Sequence, residues 1–285
     1  MGIKLITDST SYINEELAES LGIDKLSLYV TFNEDSYKEM EISNDDFYQK
    51  MEEFGIPTSS QPATGEMLEL MEKNIKAGHD IVAVFISSKM SGTYQSALMV
   101  KDMLLEDYPE AKIEIIDSMS NSMQLGFSVI EGAKLAEAGG SFEEVIARVK
   151  HVNVASRFIF IPDNLDYLRK GGRIGGAKAL LGNAFSLTPI LTVKDGNADT
   201  LQTVRTKSRA KKVMLNQLME DHEKYEVVEV AVHHINCIEE AEAFIESVKA
   251  LIDVPITIAD IGPVIGVHVG PKAIGLAYFT KNKID

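Results

Sequence analysis

The sequence predicts an α/β protein of two domains. Residues 1–150 form a doubly wound parallel sheet, and residues 151–285 a mixed sheet covered by helices. Three observations carry this. Short apolar runs rich in Ile and Val, such as residues 81–86, alternate with helical patterns through the first half. That alternation is what crossover helices over a buried parallel sheet require. Past residue 151 strand runs follow one another without helices between, and Asp195-Gly196 reads as a hairpin turn joining two of them. Finally, 285 residues with 45% hydrophobic content suffice for two cores.

In chain order, residues 3–7 are a first buried strand, followed by Asp8-Ser9-Thr10-Ser11. Asp8 is read there either as a cap for a helix over 14–20 or as a ligand contact. Residues 26–32 read as a second strand, leading through a turn into a short hairpin. Ser43 opens a helix through Glu53, with acids at its favourable end. Pro57 and Pro62 stiffen a loop that presents Thr58, Ser59 and Ser60. An ordinary turn built on hydroxyls and a binding loop both fit those residues. A helix over 65–76 follows, capped by Thr64.

Residues 81–97, IVAVFISSKMSGTYQSA, form the stretch around which the chain is organised. They read as a buried strand, a tight polar loop and a helix start. Ala97, Val100, Met103 and Leu104 are spaced to bury one helix face. Ser91 stands just before the helix, where it can cap free amides or offer its hydroxyl to an anion. Such loops lie at the carboxyl ends of strands, where open α/β sheets bind ligands.

Residues 112–116 are a further strand ending at Asp117, and residues 123–138 a helix. Ser141 and Glu144 form a capping box for the helix over 142–150. In the second half, 152–160 reads as a strand and 162–168 as a helix. The segment from Arg169 to Gly176 then places four glycines in six positions beside Arg169, Lys170 and Arg173. It is read as a flexible connection or as a contact for an anion or partner. Strands over 189–194 and 200–206, a helix over 208–225, a strand over 227–233, a helix over 238–251 and a strand over 256–260 follow. A glycine-rich loop over 261–271 carries His268, and a strand over 273–279 closes the chain.

Composition excludes some functions. Acidic residues number 43 against 28 basic, a net charge of −15, which argues against a nucleic-acid partner. Cys237 is the only cysteine, so no internal disulfide forms and a reducing compartment is expected. No apolar run reaches membrane-span length and no signal-peptide core opens the chain, so a cytoplasmic protein is expected. No Walker A loop, dinucleotide fingerprint or nucleophile elbow occurs, and no pair has metal-ligand spacing. His233-His234 are adjacent on a strand and point to opposite faces. Ser91, His268 and Asp8 or Asp117 make a conceivable hydrolytic triad that no spacing demands.

The motifs Thr7-Asp8-Ser9-Thr10, Thr58-Ser59-Ser60-Gln61-Pro62, Ser91-Gly92-Thr93-Tyr94-Gln95-Ser96-Ala97, Asp117-Ser118, Leu168-Arg169-Lys170-Gly171-Gly172-Arg173-Ile174, Pro189-Ile190-Leu191 and Gly266-Val267-His268-Val269-Gly270-Pro271 run from end to end of the chain. As a set they resemble the DegV family of bacterial fatty-acid-binding proteins. The resemblance implies a two-domain α/β architecture with a lipid tunnel. It also implies a carrier, not an enzyme and without its own cofactor, that holds one long-chain fatty acid. A separate ATP-dependent fatty acid kinase would phosphorylate the carboxylate, giving acyl phosphate for lipid synthesis. Carried over, Ser59 and Ser91 hold the ligand carboxylate, with Ser60, Gly92, Thr93 and His268 beside them. Arg173, with Arg169 and Lys170, is nominated for contact with the kinase, a phosphate or a membrane surface.

Departures from the family pattern are Ser59 for a usual Thr, Met123-Gln124-Leu125 for small residues, Thr188 for a usual Lys and Lys272 for a usual Gly. The alternative reading is a substrate subunit like that of dihydroxyacetone kinases. There His268 or His233 would attack a small ketone.

Overall fold

The computed structural model describes residues 2–181 and 187–285. The chain divides into two compact units, Met1–Asn153 and Val154–Asp285.

The first unit opens with β1 (Ile3–Asp8), a short 3-10 turn (Ser9–Ser11) and α1 (Glu15–Ser20). Then come β2 (Asp24–Leu26), β3 (Tyr29–Phe32), β4 (Asp35–Lys38), α2 (Asn44–Phe54), β5 (Thr58–Ser60) and α3 (Thr64–Lys76). It continues with β6 (Asp80–Phe85), α4 (Thr93–Asp107), β7 (Ile113–Asp117), α5 (Ser122–Glu137) and α6 (Phe142–Val154). The main sheet runs β2-β1-β6-β7, and every pair in it is parallel.

Both faces of that sheet are covered. On one, Ile6, Ile81, Ala83 and Phe85 pack with Met67 and Met71 of α3 and Ala97, Val100 and Leu104 of α4. On the other, Gly132 of α5 lies so close to Leu5 and Val149 that an added Cβ would stand 3.3 and 2.6 Å from their side chains. Each fully buried aliphatic side chain of this kind stabilises the fold by about 1.5–3 kcal/mol. Met103, expected on the buried face of α4, is instead 45% exposed.

Two expectations for this half are corrected. The run over 26–32 is not one strand. β2 ends at Leu26, and β3 belongs to a separate antiparallel sheet ordered β4-β3-β5. Side chains intervene at the break: Ser9 Oγ accepts from Leu28 N, and Ser27 Oγ accepts from Met40 N. Nor are Thr58, Ser59 and Ser60 in a loop, because they form β5 against β3. Prolines at 57 and 62 push the residues before them into extended conformations, which suits an edge strand.

The second unit contains β8 (Ser156–Ile161), α7 (Asp166–Lys170), a 3-10 helix (Gly175–Leu180), β9 (Thr188–Lys194) and β10 (Asn197–Val204). α8 (Lys207–Tyr225), β11 (Val227–His234), α9 (Ile238–Lys249), β12 (Ile256–Asp260), α10 (Pro263–Val269) and β13 (Ile274–Thr280) complete it. The sheet order is β10-β9-β8-β13-β11-β12. It is mixed: β11 and β12 are parallel, and the other pairs are antiparallel. Met214 and Leu218 of α8 and Phe244 and Val248 of α9 cover it. Asp195 and Gly196 take φ of 48° and 79°, the paired positive values of the hairpin turn expected there.

The segment over 261–271, expected as a loop, contains helix α10. Pro263 sits in its first turn, and Gly270, at φ 83°, ends it. Six of its seven residues are buried. Packing therefore overrides the poor helix propensity of its glycine and β-branched residues.

Candidate functional site

In the parallel sheet β2 lies on one side of β1 and β6 on the other. The chain thus leaves β1 and β6 in opposite directions, and a crevice opens at their carboxyl ends. The 3-10 turn after β1 and the loop from Ser87 to Gly92 after β6 both begin at this switch point.

The β6–α4 loop is tied down amide by amide. Ile86 N donates to Asp8 Oδ2 at 2.8 Å, and Ser87 N donates to the Ser120 carbonyl at 2.7 Å. Ser88 N donates to the Asp117 carboxylate at 3.2 Å, and Lys89 N to Ser87 Oγ at 3.2 Å. Met90 N and Ser91 N both donate to the Ser87 carbonyl. The loop ends at Gly92, which N-caps α4 with no side-chain cap hydrogen bond. Ser91, expected as a cap, stands one residue earlier. Its Oγ lies 2.9 Å from Thr93 Oγ1, and the distance from Thr93 N is a long 3.4 Å. The first turn of a fifteen-residue helix therefore presents amides and two hydroxyls with no anion of its own.

The second hydroxyl segment is brought to the same place. Gln61, directly after β5, donates from Nε2 to Ser96 Oγ at 2.6 Å. Its Oε1 stands 2.3 Å from where a Cβ on Gly92 would lie. Strand periodicity then separates the candidates on β5. Ser59 pairs with Val30, which is fully buried, so it shares that inward face and is half-buried. Thr58 and Ser60 point to the other face and are exposed.

Asp8 and Asp117, the acids of the conceivable triad, each hold backbone amides. Asp8 caps the 3-10 turn through Thr10 N at 3.0 Å and accepts from Thr10 Oγ1 at 2.5 Å, besides Ile86. The helix α1 is capped by Asn14 instead. Asp117 accepts from Ser88 N and from Met119 N at 2.9 Å.

On the second unit, His268 lies on α10 against Gly171, where a Cβ would fall 2.1 Å from its Nδ1. Burial, reinforced by the nearby Arg173 charge, depresses its pKa to about 4, so the ring is neutral at pH 7. Arg173 is exposed and donates from Nη1 to the Gly171 carbonyl at 2.6 Å. Arg169 pairs with Asp166 at 3.0 Å, and Lys170 is exposed. Gly171 thus packs on His268, and Gly175 and Gly176 pack on Ala198 and Asp199, so the segment is held at both ends and is not a free tether. His233 is buried edge-on to Phe158 at 5.0 Å, and its pKa is lowered to about 3, chiefly by burial. His234 lies 3.5 Å from Asp260. A cleft of about 120 Å³ is lined by Leu165, Leu180, Leu187 and Pro189, with polar edges from Asp163, Asn164 and Thr203.

Sequence reasoning missed Gln61 as a link between segments and Asp8 as a brace for the β6–α4 loop. It also passed over the exposed cations Arg205, Arg209 and Lys212 around the start of α8. Their signal was legible as a basic run in an acidic chain. Among the described residues no group of three His, Cys, Asp or Glu can hold a metal ion. No helix among them is long and apolar enough to cross a membrane.

A family model described as "Uncharacterised protein, DegV family" matches residues 2–281. The chain belongs to the DegV family. A DegV domain-containing protein of Clostridium acetobutylicum is 49% identical over 284 residues, covering 100% of both chains. Two solved structures share the fold. The stearic acid-binding protein of Eubacterium ventriosum aligns with a TM-score of 0.90 at 28% identity, covering 98% of each chain. DegV of Bacillus subtilis, described as a fatty acid binding protein, aligns at 0.88 and 31% identity, covering 99% of this chain and 100% of its own. Lys272, where the resemblance expects a glycine, takes φ 65°, a left-handed conformation that glycine adopts without steric cost.

Proposed function

We propose that this DegV-family chain is a carrier that holds one long-chain fatty acid and presents its carboxylate to a separate ATP-dependent kinase. The observation that carries the reading is the Ser91 hydroxyl at the uncapped start of α4, at the switch point of a parallel sheet. Gln61 holds the Ser59 strand beside it. Relatives of the same fold that bind stearic or other fatty acids support the choice of ligand.

The chemistry fits. A net charge of −15 repels an anionic ligand, so binding needs local donors in place of a favourable overall field. Hydroxyls and helix amides provide them, each hydrogen bond to a charged group contributing about 1.5–3 kcal/mol. The alkyl chain supplies most of the affinity, at about 0.8 kcal/mol per buried methylene. In this reading Ser59, Ser91, Gly92 and Thr93 hold the head group, and Ser60, exposed on the outer face of β5, lies at the periphery. His268, on the second unit, is a neutral ring at pH 7, and Arg173, with Arg169 and Lys170, is a kinase contact. The chain contributes no nucleotide motif, so the phosphoryl donor is bound by the partner.

Titrating radiolabelled palmitate into the wild type and Ser91→Ala tests the site. The variant is expected to keep the fold and lose about 10- to 100-fold in affinity. Unchanged affinity would place the head group elsewhere.

A further inference from the structure

The carboxylate of Asp8 is fully buried at the end of the central strand β1. Every group against its oxygens is a donor: the amide of Ile86, and the amide and hydroxyl of Thr10. That set suits an ionised, acceptor-only side chain. An Asn would turn its NH₂ toward one of these donors and leave two hydrogens facing each other. Burial nevertheless makes the ion expensive and raises the Asp8 pKa to about 6. Capping the 3-10 turn does not require an ion, since Asn caps as well as Asp. What the ion adds is its second oxygen, which crosses to the next strand and grips Ile86, 78 residues away. Ile86 is where the β6–α4 loop begins, five residues before Ser91.

We propose that Asp8 is a positioning residue for head-group binding: its carboxylate anchors the Ile86 peptide, and so fixes the Ser91 hydroxyl before α4 without touching the ligand. The proposal rests on the reading that the Ser91 loop holds the ligand's carboxylate. Asp117 braces the same loop from the other neighbouring strand, at Ser88. Ser91 is therefore suspended between two strand-end carboxylates. Such support is what holds a binding constellation to the fraction of an ångström that recognition needs.

The test is a double-mutant cycle in the full chain, with palmitate as probe and Asp8→Asn and Ser91→Ala as the two arms. Asp8→Asn is expected to melt cooperatively and to bind palmitate about tenfold more weakly. In the Ser91→Ala background the same change should have less than a twofold effect, because its influence passes through Ser91. A residue that only supported the fold would give equal losses in both backgrounds, and that result, or wild-type affinity in Asp8→Asn, overturns the proposal. Should Asp8→Asn fail to fold, Thr10→Val takes its place. It removes the hydroxyl that holds the Asp8 carboxylate in place against Ile86, so the brace loosens, a severalfold loss that vanishes in Ser91→Ala is expected, and wild-type binding is the overturning result.

Hydrogen exchange of the free protein separates this idea from the ligand assignment. Amides 86–91 should exchange about tenfold faster in the Asp8 or Thr10 variant, with those of β6 unchanged. Unchanged exchange refutes the brace whatever the ligand. Faster exchange in a chain that binds no palmitate refutes the carrier reading alone.

Discussion

Gln61 Nε2 donates to Ser96 Oγ at 2.6 Å while its Oε1 occupies the space beside Gly92, 2.3 Å from where a Cβ would stand. One amide side chain thus ties the strand that carries Ser59 to the helix start that carries Ser91. Gly92 has φ −77°, which any residue adopts, so the glycine is required for room and not for backbone freedom. Gly92→Ala should therefore cost about 1–2 kcal/mol by displacing Gln61 from Ser96. In a Gln61→Ala background the cost should shrink to the difference between Gly and Ala at an N-cap alone. Urea unfolding of the four proteins measures the coupling, and equal costs in both backgrounds would refute the contact.

Lys272 takes φ 65°, a left-handed conformation that costs a residue with a side chain about 1–2 kcal/mol. Its two backbone hydrogen bonds, to the Ile235 carbonyl and from Lys207 Nζ, survive replacement by glycine. After subtracting the greater unfolded-state freedom of glycine, Lys272→Gly should stabilise the chain by about 0.5–1 kcal/mol. Chemical denaturation checks this, and destabilisation would show that the lysine side chain contributes packing.

Stability should fall as pH drops below 6.5. His233 and His268 have folded-state pKa values of about 3 and 4, both lowered first by burial. Below 6.5 the unfolded chain binds protons at these rings that the native chain refuses. Their contribution is therefore complete above 6.5 and is lost progressively toward pH 4. At about 1.4 kcal/mol per unit, each histidine contributes on the order of 3–5 kcal/mol. Asp8 acts in the opposite sense. Its folded pKa of about 6 means that the native chain keeps a proton between pH 6 and 3.8 that the unfolded chain releases, which adds stability as pH falls. Unfolding free energies from pH 7 to 4 should decline in the wild type, decline less in His268→Gln and decline more steeply in Asp8→Asn. A flat wild-type profile would contradict the burial of the two histidines.

The parallel sheet was legible because buried strands such as Ile81–Phe85 of β6 have no polar face to disguise them. The hairpin at Asp195-Gly196 was legible because two positive φ values need those residue types. The fate of residues 26–32 was not: alternation shows that a run is extended but not which sheet it joins. Ser27 and Ser9 side chains decide that by capturing backbone groups. Helix α10 was hidden because its composition argues against helix and burial alone selects it. At the site, the hydroxyl residues were visible as residue types. Which of Ser59 and Ser60 faces inward depends on the register of β5 with Val30, and that is a property of the pairing. The Asp8–Ile86 and Gln61–Ser96 bonds join residues 78 and 35 positions apart, beyond the reach of any local pattern.

The carrier reading is tested most directly by native mass spectrometry of the purified chain, before and after extraction with organic solvent and again after adding palmitate. The account predicts one long-chain fatty acid per chain, removed by extraction and replaced by palmitate in the same one-to-one ratio. A chain found at its bare mass that takes up no palmitate, and that instead turns over dihydroxyacetone with a phosphodonor, would contradict it.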